Sequence, residues 1–262
     1  MTTTTQDILQ HNRQAWDGQV DRKDRWTVPV DTAAIERARR GDWSIVLTPV
    51  KTIPRDWFPP LKDLITLCLA GGGGQQGPIL AAAGARVVVF DNSPRQLDQD
   101  RMVAARDHLD LETVQGDMAD LSVFSDEQFD LIVHPCSNGF VPDVLPVWKE
   151  AHRVLRPGGT LLSGFVNPLL YIFDFVALER GEFRVTHRIP YSDVNDAGDE
   201  EKAFLAERQE PLSFGHTLED LLGGQIAAGF TITGFYEDVL PELILSQYIA
   251  SCAATRAVKL PL

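Results

Sequence analysis

Basic residues are scarce in this 262-residue chain, where 24 Lys and Arg stand against 37 Asp and Glu for a net charge of −13. A nucleic-acid groove binds phosphates by releasing counterions onto Lys and Arg, so the charge balance argues against a nucleic-acid partner. Cysteine is scarcer still. Cys68, Cys136 and Cys252 lie far apart and form no C-x-x-C pair, which suggests neither a disulfide framework nor a zinc site and fits a reducing, cytoplasmic location. The amino-terminal "MTTTTQDILQ" lacks a basic region followed by an apolar core, so no secretory signal is read there. The apolar stretch "LLSGFVNPLLYIFDFVAL" is interrupted by Ser163, Gly164, Asn167, Pro168 and Asp174, which excludes it as a membrane span.

What is present suits one α/β domain with additions, since 44% hydrophobic residues over this length can bury a sizeable core. Residues 1–60 form an N-terminal cap segment holding four of the five tryptophans: Trp16, Trp26, Trp43 and Trp57. A helix is predicted near residues 6–17, and a second from the Asp31/Thr32 cap to Gly41. Residues 61–168 read as a regular alternation. Strands are predicted over 64–70, 86–91, around "LETVQGD", over 129–134 and at "GTLLSGFV", separated by helices from Pro78 to Gly84, over about 94–108, and through Val144, Val147, Trp148, Ala151, Val154 and Leu155. Residues 169–215 read as an insertion acting as a lid, and 216–262 as the end of the core sheet, a helix followed by two strands with no helix between them. The architecture expected is a Rossmann-like, doubly wound, mostly parallel seven-stranded sheet with an antiparallel last strand, an N-terminal helical cap and the lid insertion.

Four consecutive glycines, Gly71 to Gly74, follow the first strand at the end where such sheets bind ligands. Residues 72–77 satisfy G-x-G-x-x-G, and Asp91 follows 19 residues after Gly72, which is the spacing of a dinucleotide fingerprint. On the loop alone, an NAD(P)-binding oxidoreductase stays open. Both ligand classes use the same physics, since bare backbone approaches the ligand and a carboxylate accepts from ribose hydroxyls.

Further along, the chain resembles the class I S-adenosylmethionine-dependent methyltransferases acting on small molecules, over about residues 64–168. The family's acid-x-G-x-G-x-G falls on Cys68, Ala70, Gly72 and Gly74, with Cys68 in place of the acid and Ala70 in place of the first glycine. Asp91 matches the acid that ends the second strand, Asn92 follows it, and "QGDMADL" supplies the Gly-Asp pair with an apolar neighbour as Gly116, Asp117 and Met118. "LRPGG" within "AHRVLRPGGTLLSGF" matches the family's turn before the fifth strand, and an antiparallel final pair differs from an NAD domain's parallel last strand.

The resemblance implies S-adenosyl-L-methionine as cofactor, held by Ala70, Gly71, Gly72, Gly74, Asp91, Asn92, Gly116, Asp117, Met118, His134 and Pro135. It implies in-line methyl transfer to a small-molecule acceptor, with no metal. A non-catalytic S-adenosylmethionine-binding protein is the alternative that loss of the loop acid suggests. His134, at the end of the fourth strand, is the candidate base, against a competing role as a pocket wall. His108 and His152 are read as surface helix residues, and His11, His187 and His216 as weaker candidates. Trp16, Trp57, Asn138 and Tyr171 are the candidates for the acceptor pocket. "NP" at Asn167 and Pro168 ends the fifth strand rather than the fourth, so it is not the amino-methyltransferase box, and the acid run 193–202 is read as a solvated loop.

Overall fold

The computed structural model describes residues 3–261. Helix α1 (Thr5–Arg22) opens the chain under a Thr4/Asp7 capping box, and α2 (Thr32–Arg39) starts on the Asp31 side chain. The core strands are β1 (Ile65–Leu69), β2 (Arg86–Asp91), β3 (Leu111–Gln115), β4 (Phe129–His134) and β5 (Leu155–Val166). Between them lie α3 (Gln76–Ala82), α4 (Pro94–Asp107) and α5 (Leu145–Val154). The insertion contributes α6 (Phe175–Glu179), α7 (Asp199–Arg208) and a hairpin of β6 (Tyr191–Ser192) with β7 (Phe214–Gly215). A short helix α8 (Gly224–Ala227) then leads to β8 (Phe230–Asp238) and β9 (Cys252–Lys259).

Seven strands form one sheet in the order β3-β2-β1-β4-β5-β9-β8. The first five are mutually parallel, and β9 runs antiparallel to both β5 and β8. Strand alternation sends neighbouring residues to opposite faces. Leu67 and Leu69 pack in the layer containing Trp148 of α5, whereas Cys68 packs with Leu80 and Leu97 in the other. Both faces are covered, which is why the central strands read as continuous apolar runs. Local signals set the ends: the Ser93 side chain caps α4 with Pro94 in its first turn, and Gly84, at φ +106, follows α3.

Three expectations change. The "LRPGG" run is not a separate turn, because α5 passes directly into β5 at Leu155 and Gly158, at φ +84, sits in a bulge between the pairs Phe129–Leu155 and Leu131–Thr160. The helix before β8 begins as a π turn over Glu219–Gly223. There Asp220 O accepts the Trp148 Nε1 proton at 2.9 Å, and a Cβ on Gly224 would lie 2.7 Å from Leu145 Cδ2, so the helices touch at a distance only glycine permits.

The acid run 193–202 is solvated at Asp196, Asp199 and Glu200, but it passes into α7 and two of its carboxylates are buried and structural. Asp193, 2% exposed, accepts from the Tyr191 hydroxyl and from Ser213 N and Oγ. Glu201, 5% exposed, accepts from Phe175 N and Gly198 N and meets His187 Nε2 at 3.0 Å.

Candidate active site

The connections after β1 and β4 leave the sheet toward opposite sides, which is where a doubly wound sheet opens a crevice at its carboxyl edge. A cavity of about 320 Å³ occupies that position. Ala70, Gly71 and Gly72 after β1, Asp91 and Asn92 after β2, Gly116, Asp117 and Met118 after β3, and Pro135 after β4 all line it. Gly74 does not. It turns away beneath Pro29, and its carbonyl accepts from Val30 N at 2.9 Å.

Glycine is required where the walls are tightest. A Cβ on Gly116 would stand 2.2 Å from Phe90 Cζ, and one on Gly72 would stand 2.9 Å from Gln96 Cβ and 3.1 Å from Asp91 Oδ2. The Asp91 carboxylate is already engaged, accepting from Gly72 N at 3.0 Å and Ser93 N at 2.9 Å. It therefore shapes the glycine loop as well as facing the cavity, and burial raises its pKa against those bonds. The Asn92 amide is also committed, donating to Leu9 O and accepting from Arg13 Nε, so it ties α1 to the strand end rather than being free for a ligand.

His134 requires correction. Its imidazole is fully buried, does not line the cavity, donates from Nδ1 to Leu69 O at 2.9 Å, and lies edge-on to Trp148. Burial depresses its pKa to about 4. The last side chain of β4 thus belongs to the layer beneath the site, and neither a base role nor a pocket-wall role fits it. Cys68 is likewise buried away from the cavity, and burial first, then Asp100, raises its pKa.

Of the acceptor candidates, Trp16 lines the cavity and packs edge-on against Phe140. Trp57 packs on Tyr236 instead, Asn138 donates to Gly164 O at 2.7 Å, and Tyr171 packs against Tyr191 within the insertion. His152, expected on the surface, is half-buried against Phe230, while His11 and His216 make backbone contacts to Glu210 O and Asn138 O.

Two residues escaped the sequence reading. Gln96 lines the cavity and its buried Oε1 has no hydrogen-bond partner; Ser93-x-x-Gln96 has the form of a capping box, which disguised it. Asp100, fully buried on α4, accepts from Gly73 N at 3.0 Å, and burial pushes its pKa up to about 8. Only its helical spacing from Gln96 hinted at a place under the loop. Part of the cavity wall is apolar, with Leu47, Pro49, Val166 and Leu240 lining it together with Cys136 and Cys252.

A methyltransferase-domain family model matches residues 67–163. The Bacillus subtilis protein named uncharacterized methyltransferase YbaJ is 55% identical over 252 residues, 96% of this chain and 98% of that protein. The ubiquinone/menaquinone biosynthesis C-methyltransferase UbiE of Rhodopseudomonas palustris is 29% identical over 192 residues, 68% of this chain and 71% of its own. Among solved structures, an S-adenosylmethionine-dependent methyltransferase from Mesorhizobium loti shares the fold with a TM-score of 0.62 at 21% identity, over 78% of this chain and 94% of that one. The near-full-length likeness to the Bacillus protein, together with the domain match over residues 67–163, places the chain in the methyltransferase family.

Proposed function

We propose that the protein binds S-adenosyl-L-methionine in this cavity and transfers its methyl group to a small, largely apolar acceptor. The observation that carries the reading is the convergence of Ala70–Gly72, Asp91–Asn92 and Gly116–Met118 on one cavity that is also lined by the apolar Leu47, Pro49, Val166 and Leu240. When bound, the sulfonium cofactor supplies a methyl group already activated for in-line displacement.

The residues present suit that group. Gly72 lets backbone come close, the Asp91 carboxylate stands where ribose hydroxyls are accepted, and the unpartnered Gln96 Oε1 offers a buried acceptor for a ligand N–H. Charge-assisted bonds of this kind contribute about 1.5–3 kcal/mol each. The apolar side chains exclude water and favour an acceptor without charge. No imidazole lines the cavity among the described residues, so positioning of the acceptor, rather than proton abstraction by histidine, is the chain's contribution. The carbon acceptor implied by the name of the Rhodopseudomonas relative is compatible with that reading. Three unpaired cysteines accord with a reducing, cytoplasmic setting.

Calorimetry and thermal denaturation with S-adenosylhomocysteine, S-adenosylmethionine, NAD and NADP test this. The adenosyl compounds are expected to stabilise the protein by about 2.7 kcal/mol at 100 times their dissociation constant. Stabilisation by a nicotinamide compound alone would overturn the reading.

A further inference from the structure

We propose that Cys136 and Cys252 form a reversible oxidation site in the cavity wall, where a peroxide couples the two thiols into a disulfide across the acceptor end. The sheet brings them together. In the antiparallel pairing of β5 with β9, Val166 stands opposite Cys252 and Gly164 opposite Ala254, so these four positions share one face. Cys136 reaches the same face from the loop after β4, with its N–H donating to Leu47 O at 3.0 Å. A Cβ on Gly164 would lie 3.1 Å from the Cys136 Sγ and 2.4 Å from that same Leu47 carbonyl oxygen. The missing side chain at Gly164 therefore makes the space in which the Cys136 thiol lies beside Cys252.

Both cysteines line the cavity, so a small oxidant reaches them through it, whereas Cys68 is buried and does not line it. The two thiols act on one another, Cys252 together with burial raising the Cys136 pKa and Cys136 lowering that of Cys252. That direction favours Cys252 as the attacking sulfur and Cys136 as the resolving one, and both line the same cavity wall.

The chemistry needs only hydrogen peroxide as oxidant. The Cys252 thiolate attacks one peroxide oxygen, an S–O bond forms as the O–O bond breaks, and the departing hydroxide takes a proton to become water. Cys136 then attacks the resulting sulfenic sulfur, the S–S bond forms as the S–O bond breaks, and the leaving hydroxide departs as water with the Cys136 proton. Two electrons pass from the sulfurs to the peroxide, and exchange with a reducing thiol reverses the bond. The link ties the loop after β4 to the first residue of β9, next to Val166, and leaves the Gly72 and Asp91 side of the cavity untouched.

The test reads the thiols themselves and does not depend on methyl transfer. Full-length protein is treated with hydrogen peroxide, quenched and denatured, its thiols are titrated, and its peptides are mapped by mass spectrometry. Titratable thiols should fall from the three of the sequence to one, with the Cys136 and Cys252 peptides joined, and dithiothreitol should restore all three. Cys68→Ser should lose both of its remaining thiols, whereas Cys136→Ser and Cys252→Ser should yield no intramolecular link. Persistence of all three thiols under peroxide that oxidises free glutathione completely, conversion of one cysteine to sulfinic acid without a linked peptide, or a link through Cys68 would overturn the proposal.

Discussion

Ala70 continues the β1–β2 ladder with its N–H donating to Phe90 O at 2.7 Å, then leaves β1 at φ +47, a left-handed conformation that costs an L-residue about 1–2 kcal/mol. The family pattern has a glycine here for a reason the backbone now supplies: the chain must turn left-handed before it can pass under a ligand. Ala70→Gly relieves that strain against an entropic cost of about 0.5–1 kcal/mol, so a net gain of between about 0 and 1.5 kcal/mol is expected in a denaturant titration. A destabilised variant would mean that the alanine methyl contributes packing that outweighs its strain. His134 presents the opposite case, a residue conspicuous in the sequence whose surroundings were not legible there. The end of β4 points toward the crevice, but only the packing of α5 shows that Trp148 covers this side chain. Because burial depresses its pKa from 6.5 to about 4, the neutral imidazole contributes its full stability above pH 6.5 and loses it as pH falls through 4. Relative to His134→Gln, the wild type should lose about 1.4 kcal/mol per pH unit within that window. Urea titrations at pH 7 and pH 5 measure this, and parallel pH dependence of the two proteins would show that the imidazole protonates without penalty.

Core elements were legible wherever one signal dominated. Apolar runs bounded by turns marked β2 and β4 at the limits the structure gives, and the helix expected over about 94–108 is α4, Pro94–Asp107. The strand-end wall of the cavity was legible for the same reason, since each of its segments is continuous in the chain. The apolar wall was not. Leu47, Val166, Leu240 and Cys252 meet only through the β5–β9 pairing and the Val46–Thr52 bridge, neither of which leaves a spacing in the sequence. The insertion was opaque too, because its short elements depend on distant pairs such as Asp193 with Ser213 and His187 with Glu201. Helix α1 is held in a similar way. Its buried apolar residues are few, Ile8 and Ala15, and the buried Asn12 donates to Phe140 O and Leu212 O at 3.0 Å and accepts from Leu212 N at 2.7 Å. Asn12→Ala would strand these groups at about 1–3 kcal/mol for each one that water does not reach. A loss of about 2 kcal/mol or more is therefore expected in thermal denaturation. A loss under about 0.5 kcal/mol, the level of an ordinary surface substitution, would show that the Trp16–Phe140 contact holds the helix without it.

At the scale of the whole molecule, the cavity is walled by pieces of different strength. The strand ends belong to a sheet buried on both faces, and Ile45, Leu47, Ile53 and Trp57 of the N-terminal segment pack into that core, whereas α1 and the turn after it attach largely through polar contacts. These are Asn92 with Leu9 O and Arg13, the Ser93 hydroxyl with Asp17, Gln75 with the Arg25 carbonyl, and the exposed Arg25–Glu242 ion pair. An exposed ion pair contributes only about 0–1 kcal/mol. Segments held in this manner open at lower free energy than a packed sheet, so α1 is expected to be the part that yields when a ligand enters or leaves. Native-state hydrogen exchange tests this with a readout for each element. Without ligand, α1 amides should exchange through local opening well before those of β1 and β4. S-adenosylhomocysteine at 100 times its dissociation constant should slow α1 exchange by about a hundredfold, the factor by which bound ligand suppresses an opening that must release it. Helix α7, which does not line the cavity, should exchange at its original rate by local opening that leaves the ligand in place. Unchanged exchange in α1 together with slowed exchange in α7 would put the ligand's path beneath the insertion and assign the cap a purely structural role.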